Sequence, residues 1–246
     1  MSRLLYVDCI GGVAGDMLLG ALLDAGADIE AVRDGLGRLG IEDLALETEP
    51  AVRHGIAATR AIVSGNDEQP HRTWRSIREL ELPPLAQEAF RRLAIAEGRI
   101  HGIDPEDVHF HEVGAIDAIG EVCGVALAVE SLKIGRTVCS PLPAGRGFVN
   151  AAHGRLPLPA PATLELLKGA PLYGVEIEME LVTPTGAALV AALAGEFGPL
   201  PKLTLEGTGY GAGSRDLEAV PNVVRAIVGV EGQPEGRILR TLRKTS

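Results

Sequence analysis

The run Leu4-Leu5-Tyr6-Val7-Asp8-Cys9-Ile10-Gly11-Gly12-Val13-Ala14-Gly15-Asp16 sets how the fold of this chain begins. Residues 4–10 are short, apolar and rich in residues with β propensity, so they predict a buried strand. Gly11 and Gly12 end that strand. Asp16 is a preferred N-cap residue and predicts a helix over residues 17–25. The chain is therefore expected to open with a strand, a glycine loop and a helix.

Apolar periodicity predicts helices and strands along the rest of the chain. Helices are expected at 29–39, 73–80, 84–100, 118–132, 162–168 and 187–197, and strands at 44–49, 56–63, 137–140, 147–151, 175–181, 203–208 and 223–230. The two types do not alternate strictly, which favours an α+β fold, with mixed sheets packed against helices, over a doubly wound sheet. We expect one large domain over 1–230, or two closely packed subdomains with a break near 198–202, and a flexible tail over 231–246.

Composition excludes several classes of protein. The 246 residues are 46% hydrophobic and carry a net charge of −10, which argues against a nucleic-acid partner. No apolar stretch approaches the roughly 18 residues of a membrane-spanning helix, so no membrane association is expected. Three cysteines without a CxxC pair, and an N-terminus without signal-peptide anatomy, predict a cytoplasmic protein. The expected ligand is therefore small.

The motif Val108-His109-Phe110-His111-Glu112-Val113-Gly114-Ala115-Ile116-Asp117 carries the clearest chemical signal. In an extended run, His109 and His111 point to one face with Cα atoms about 6.5–7 Å apart. With Glu112 and Asp117 they form a donor set that suits zinc, iron, cobalt or nickel. The alternative is a pair of structural histidines on a strand whose other face, Val108 and Phe110, faces the core.

Three further segments are candidates for binding. Asp8 and Asp16 bracket the glycine loop and suggest a cation, with or without an attached phosphate, although Asp16 could simply cap the helix. His153, beside the alternating prolines of 156–161, could be a third imidazole or a structural residue. The helix start containing Thr183, Thr185 and Gly186 could hold an anion, or its threonines could serve only as caps.

The segment 207–213 has glycine at alternate positions. No helix pattern follows it, so it is a poor dinucleotide motif. A flexible or closely packed backbone segment beside a ligand is the better interpretation.

Taken together, these runs resemble the LarC family of nickel-insertion proteins. The resemblance rests on an ordered set of motifs over nearly the whole chain: Tyr6-Val-Asp-Cys-Ile-Gly-Gly-Val-Ala-Gly-Asp-Met17, His109-Phe-His-Glu-Val-Gly-Ala-Ile-Asp117, His153-Gly-Arg-Leu-Pro-Leu-Pro-Ala-Pro-Ala-Thr163, Glu180-Leu-Val-Thr-Pro-Thr-Gly-Ala-Ala188, Gly209-Tyr-Gly-Ala-Gly213 and Pro221-Asn-Val-Val-Arg225. Each motif is weak alone, and their order makes the set specific.

The resemblance implies insertion of nickel into pyridinium-3,5-bisthiocarboxylic acid mononucleotide, the precursor of a nickel-pincer cofactor, with CTP and a divalent ion such as Mg²⁺ or Mn²⁺. Relatives continue into a C-terminal domain associated with CTP, so this chain is expected to be the N-terminal component. Its expected partners are the precursor and that C-terminal domain or chain, and it could form a homo-oligomer. The chain has Glu121 where the family usually has aspartate, and it lacks the histidine-rich stretch that relatives carry before the position of His71.

The resulting hypothesis is one component of a nickel chelatase, a lyase once it is joined to its C-terminal part. The metal would be held by His109, His111, Glu112, Asp117 and His153. The phosphate of the precursor, or a second cation, would lie near Asp8, Asp16, Thr183, Thr185 and Gly186. Two alternatives remain: a metal-dependent phosphohydrolase or phosphotransferase holding Mg²⁺ through Asp8 and Asp16, and a non-catalytic scaffold that assembles with the C-terminal partner.

Overall fold

A seven-stranded mixed sheet forms the framework of the molecule in the computed structural model, which describes residues 3–65, 72–110, 115–151 and 154–232. The described strands are β1 (Arg3–Asp8), β2 (Ala45–Arg53), β3 (Ile56–Ser64), β4 (Ile134–Cys139), β5 (Leu142–Ala144), β6 (Phe148–Ala151), β7 (Gly154–Pro157), β8 (Leu172–Gly174), β9 (Glu196–Phe197), β10 (Leu203–Ala212) and β11 (Val223–Glu231). The described helices are α1 (Gly15–Asp24), α2 (Ile29–Gly37), α3 (Trp74–Ile77), α4 (Pro84–His101), α5 (Ile116–Ser131), α6 (Pro161–Leu166) and α7 (Pro184–Leu193), with a 3₁₀ turn at Pro105–Asp107.

The main sheet has the order β2-β3-β10-β11-β1-β4-β9, and two small sheets pair β5 with β8 and β6 with β7. β1 pairs with β11 in antiparallel and with β4 in parallel fashion. Parallel and antiparallel pairs therefore share one sheet, and the α+β prediction is confirmed.

β1 is buried on both faces. Leu5 and Val7 belong to the main core with the helices, whereas Leu4 and Tyr6 pack on the opposite face of the sheet. This explains why the strand is a continuous apolar run instead of an alternating one. The predicted strand is confirmed.

Helix α1 lies directly on β10. A Cβ atom on Gly209 would overlap the carbonyl oxygen of Ala21, and one on Gly211 would overlap that of Met17. The alternating glycines of 207–213 thus let a helix backbone approach a strand backbone. The segment is thus closely packed, with α1 as its neighbour, and a ligand beside it stays a prediction.

Helix α1 begins earlier than predicted, and Asp16 is not its N-cap. Ala14 is the N-cap and makes no side-chain cap, while Oδ1 of Asp16 accepts from its neighbour, the N–H of Met17, at 2.7 Å. The carboxyl group of Glu121 in α5 lies against this first turn, so close that a Cβ atom on Gly15 would be 2.5 Å from its Oε2. The start of α1 is therefore set by packing against α5 and not by the side-chain cap that the sequence predicts.

Two other predictions are wrong: the bounds of one helix and the presence of one strand. The helix predicted at 187–197 is α7, which begins at Pro184, a favoured first position, and ends at Leu193 because Glu196–Phe197 pairs with β4. The strand predicted at 175–181 is not formed, and a shorter strand, Leu172–Gly174, pairs with β5 instead. Alternating polar and apolar residues favoured a strand there. The stretch instead makes separate backbone hydrogen bonds with the residues after β5, such as that from the N–H of Arg146 to the carbonyl oxygen of Ile177 at 2.9 Å.

The segment 198–202 connects β9 to β10, both strands of the main sheet. The hydroxyl of Tyr6 donates to the carbonyl oxygen of Gly198 at 3.2 Å, which holds the start of this connection against β1. The subdomain break near this segment stays a prediction. Among the residues that the structure describes, no helix is long and apolar enough to cross a membrane.

Candidate functional site

Two of the motif segments meet through their backbones at the start of α1 and α7. The N–H of Val13 donates to the carbonyl oxygen of Leu181 at 2.8 Å, and the N–H of Thr183 donates to that of Val13 at 3.1 Å. A Cβ on Gly186 would overlap the carbonyl of Val13, so only glycine allows this approach. The glycine loop and the Thr183 segment therefore form one structural unit.

The threonines of this unit have structural partners. Oγ1 of Thr183 accepts from the N–H of Gly186 at 3.1 Å, so Thr183 is the N-cap of α7. Thr185 is buried, and its methyl group lies beside Gly15 of α1. The capping interpretation is thus confirmed for Thr183.

Asp16 lies in the first turn of α1, where the helix dipole favours a negative charge. Burial nevertheless raises the pKa of Asp16 above its ordinary value, while the hydrogen bond from Met17 and the charge of Arg60 act in the opposite direction. Asp16 also lines the cleft described below.

Glu121 is an acidic residue of this junction that is not among the predicted metal-binding or precursor-binding residues. Its carboxyl group lies against Gly15, and burial raises its pKa to about 8, with further contributions from the charges of Asp16 and Asp117. The sequence does contain a signal: Glu121 is one helical turn after Asp117 in an otherwise apolar stretch of α5. The end of the histidine motif is thereby linked to the N-terminal loop.

A cleft of about 280 Å³ opens beside this junction. Its wall contains Asp16 and Thr183, the apolar residues Phe148 and Leu158, and the guanidinium-bearing Arg215. The lining is completed by Ala14, Met17, Val149, Glu178, Met179, Glu180, Leu181, Gly213, Ser214 and Asn222. Four separate parts of the chain thus contribute to one concave surface with apolar, acidic and basic groups, as expected for a small-molecule site.

Asp8 lies apart from this cleft. It occupies the sheet face of Leu4 and Tyr6, opposite α1, and pairs with Arg225 on the neighbouring strand at 2.5 Å. It is not among the cleft-lining residues. Asp8 thus has an arginine partner outside the cleft, and a cation held between Asp8 and Asp16 stays a prediction.

The histidine motif is described only in part. Val108 and Phe110 are 1% and 2% exposed, whereas His109 is exposed. The backbone of His109 forms an isolated antiparallel β-bridge with that of Thr73. The predicted core-facing side of this run is confirmed. His111, Glu112 and His153 lie outside the described residues, as does His71.

Asp117 is exposed in the first turn of α5, where its Oδ1 accepts from the N–H of Ala118 at 2.8 Å. Within residues 3–65, 72–110, 115–151 and 154–232, no three His, Cys, Asp or Glu side chains are arranged to hold a metal ion. The predicted ligand set stays a prediction.

Residues 5–243 match the family model described as nickel insertion protein. The chain belongs to this family. It is 50% identical over 238 residues to a putative nickel insertion protein of Desulfotalea psychrophila, covering 93% of this chain and 61% of that protein. It is 48% identical to a putative nickel insertion protein of Geobacter sulfurreducens, with 92% and 61% covered.

A third relative in the nickel insertion protein family has a more specific name. The pyridinium-3,5-bisthiocarboxylic acid mononucleotide nickel insertion protein of Desulfitobacterium hafniense is 46% identical over 232 residues, covering 91% of this chain and 58% of that protein. The chain thus spans about three fifths of the length of these relatives. No solved structure matches it.

Proposed function

We propose that this chain is the nickel-handling and precursor-binding part of a nickel chelatase. Its substrates would be nickel and pyridinium-3,5-bisthiocarboxylic acid mononucleotide. CTP and Mg²⁺ or Mn²⁺ would act through a C-terminal region such as that of the longer relatives. Membership of the nickel insertion family and the name of the Desulfitobacterium relative support this assignment.

The cleft is the observation that carries the proposal. It lies where the glycine loop, the Thr183 segment and the loop around Arg215 meet, and its volume of about 280 Å³ is near the lower end of the range of small-molecule sites. The precursor combines a flat cationic ring with anionic phosphate and thiocarboxylate groups. A wall with aromatic, acidic and basic side chains offers a partner to each.

Nickel would be supplied from the neighbouring histidine motif. His109 is exposed and faces away from the core. The same motif ends at Asp117, which is electrostatically coupled through Glu121 to the first turn of α1. Imidazole and carboxylate donors suit nickel. We assign His109, His111, Glu112, Asp117 and His153 as candidate donors, and we place Asp16, Thr183, Thr185 and Gly186 at the precursor end of the site.

Reconstitution tests the assignment. The purified chain would be combined with the C-terminal region of the Desulfotalea relative, CTP, Mg²⁺, nickel and the precursor, and the nickel-containing product followed by mass spectrometry. We expect product from the wild-type chain and its loss from the double variant His109→Ala/His111→Ala.

The matched control is His101→Ala, which removes an exposed imidazole at the end of α4, outside the motif. This variant should form product at the wild-type rate. Product formation by the double variant at the wild-type rate would contradict the nickel-handling role.

A further inference from the structure

One aromatic ring at the cleft already carries a flat cation. Phe148 lines the cleft and is 59% exposed, and the guanidinium of Arg155 lies over its ring, 4.2 Å from the centroid. The two residues are diagonal neighbours on paired strands, since Asn150 opposes Arg155 in the β6–β7 hairpin. The ring of Phe148 thus already accepts a planar positive group, which its quadrupole attracts.

Among the described residues no carboxylate forms an ion pair with Arg155, and its guanidinium contacts the ring of Phe148. Its guanidinium is therefore held on the ring by a contact that is weak at an exposed site. A ligand cation of similar shape can displace it.

Arg215 is a second uncompensated cation in the same cleft. Its Nη1 lies 3.4 Å from the sulfur of Met179, a weak acceptor, and no carboxylate of the described residues is within ion-pair distance. Its backbone is fixed, because Nδ2 of the buried Asn222 donates to its carbonyl oxygen at 2.8 Å. In a chain with a net charge of −10, a positioned arginine without a carboxylate partner favours an anionic ligand.

Three acidic residues, Asp16, Glu178 and Glu180, also line the cleft, and none of them forms an ion pair with Arg215. Glu178 lies 3.6 Å from Arg146, which also pairs with Glu176 at 2.6 Å. Those carboxylates therefore have a cation of their own outside the cleft lining, and Arg215 remains available.

We propose that Phe148 is the stacking platform for the pyridinium ring of the precursor and that Arg215 binds its phosphate. The pyridinium ring takes the place of the Arg155 guanidinium on Phe148. The displaced guanidinium can then pair with a thiocarboxylate or phosphate group of the ligand. Together the two residues select a pyridinium mononucleotide over nucleotides with neutral bases. This inference rests on the proposed function and names residues that the sequence motifs did not single out.

The test uses calorimetry on the purified chain with three probes. Nicotinic acid mononucleotide has both the cationic ring and the phosphate, uridine monophosphate has the phosphate on a neutral base, and nicotinic acid riboside has the cationic ring alone. We expect the wild-type chain to bind the first more tightly than either of the others.

Variants at the two positions should separate the two recognition elements. Phe148→Leu should weaken binding of nicotinic acid mononucleotide roughly threefold to tenfold with little change for uridine monophosphate, and Phe148→Tyr should retain binding. Arg215→Met should weaken both phosphate-bearing probes about tenfold or more and leave the riboside unchanged. Leu205→Ala, at a β10 position that is 58% exposed and outside the cleft, is the matched control and should bind as wild type does.

Three results would overturn the inference: no saturable binding by the wild-type chain at millimolar probe, an equal loss for all probes in Phe148→Leu, or no loss in Arg215→Met. The reconstitution assay separates this failure from failure of the proposed function. Product formed by the wild-type chain alongside any of these results would leave nickel insertion standing and remove only the roles of Phe148 and Arg215.

Discussion

The carboxyl group of Glu121 in α5 lies against Gly15 at the start of α1, where a Cβ atom would be 2.5 Å from its Oε2. The charges of Asp16 and Asp117 both raise the pKa of Glu121. Glu121 is therefore coupled electrostatically to two carboxylates from different motifs. A side chain outside both motifs therefore joins them.

We expect Glu121 to make the folded state less stable as pH rises. Its pKa of about 8 in the fold is above the ordinary value of 4.5, so the folded state binds this proton more tightly than the unfolded state. The resulting stabilisation is complete below about pH 4.5 and is lost as pH rises to about 8. Urea unfolding of the wild-type chain across this range should show a fall in unfolding free energy on the order of a few kcal/mol.

The isosteric variant Glu121→Gln provides the comparison. It keeps the size and a side-chain carbonyl oxygen and removes the titrating proton, so its stability should vary less between pH 5 and pH 8. An unfolding free energy with the same pH slope in both proteins would show that Glu121 does not titrate in this range.

A methyl group at position 186 should separate the two helix starts. In Gly186→Ala the new Cβ overlaps the carbonyl of Val13, and the backbone must shift to relieve the overlap. We expect a loss of about 1–3 kcal/mol in the free energy of unfolding, measured by urea denaturation. The matched control is Gly37→Ala at the end of α2, where nothing lies within 4 Å, and this variant should be neutral or slightly stabilised. Equal stability of the two variants would argue against the close contact.

Asp8 and Asp16 should behave differently when each is changed to asparagine. Asp8→Asn weakens the pair with Arg225, so it should reduce stability while leaving the rate of product formation in the reconstituted reaction nearly unchanged. Asp16→Asn changes a cleft-lining charge and should lower that rate severalfold. Unfolding measurements and the reconstitution assay together distinguish the two effects. A larger loss of rate in Asp8→Asn than in Asp16→Asn would return Asp8 to the binding site.

Local sequence patterns predicted the elements well where one strong signal acted alone. The apolar run of 4–10 indicated the buried strand. The alternation of residues 108–110 indicated that Val108 and Phe110 face the core and His109 does not. Predicted helix boundaries were wrong where residues distant along the chain contact the end of the helix. Helix α1 begins at Gly15, where Glu121 of α5 packs against it, and not after a cap by Asp16. Pairing with β4 turned the predicted end of α7 into β9.

The sequence by itself determined the fold class, the strand–loop–helix opening and the family, because these depend on periodicity and the order of motifs. Only the tertiary structure decided that Asp8 lies on the far face of the sheet, that Glu121 joins two motifs, and that Phe148 and Arg215 line one cleft. The physical reason is that these relationships join residues that are distant along the chain. Burial and charge at such a junction arise from packing, which no local pattern records.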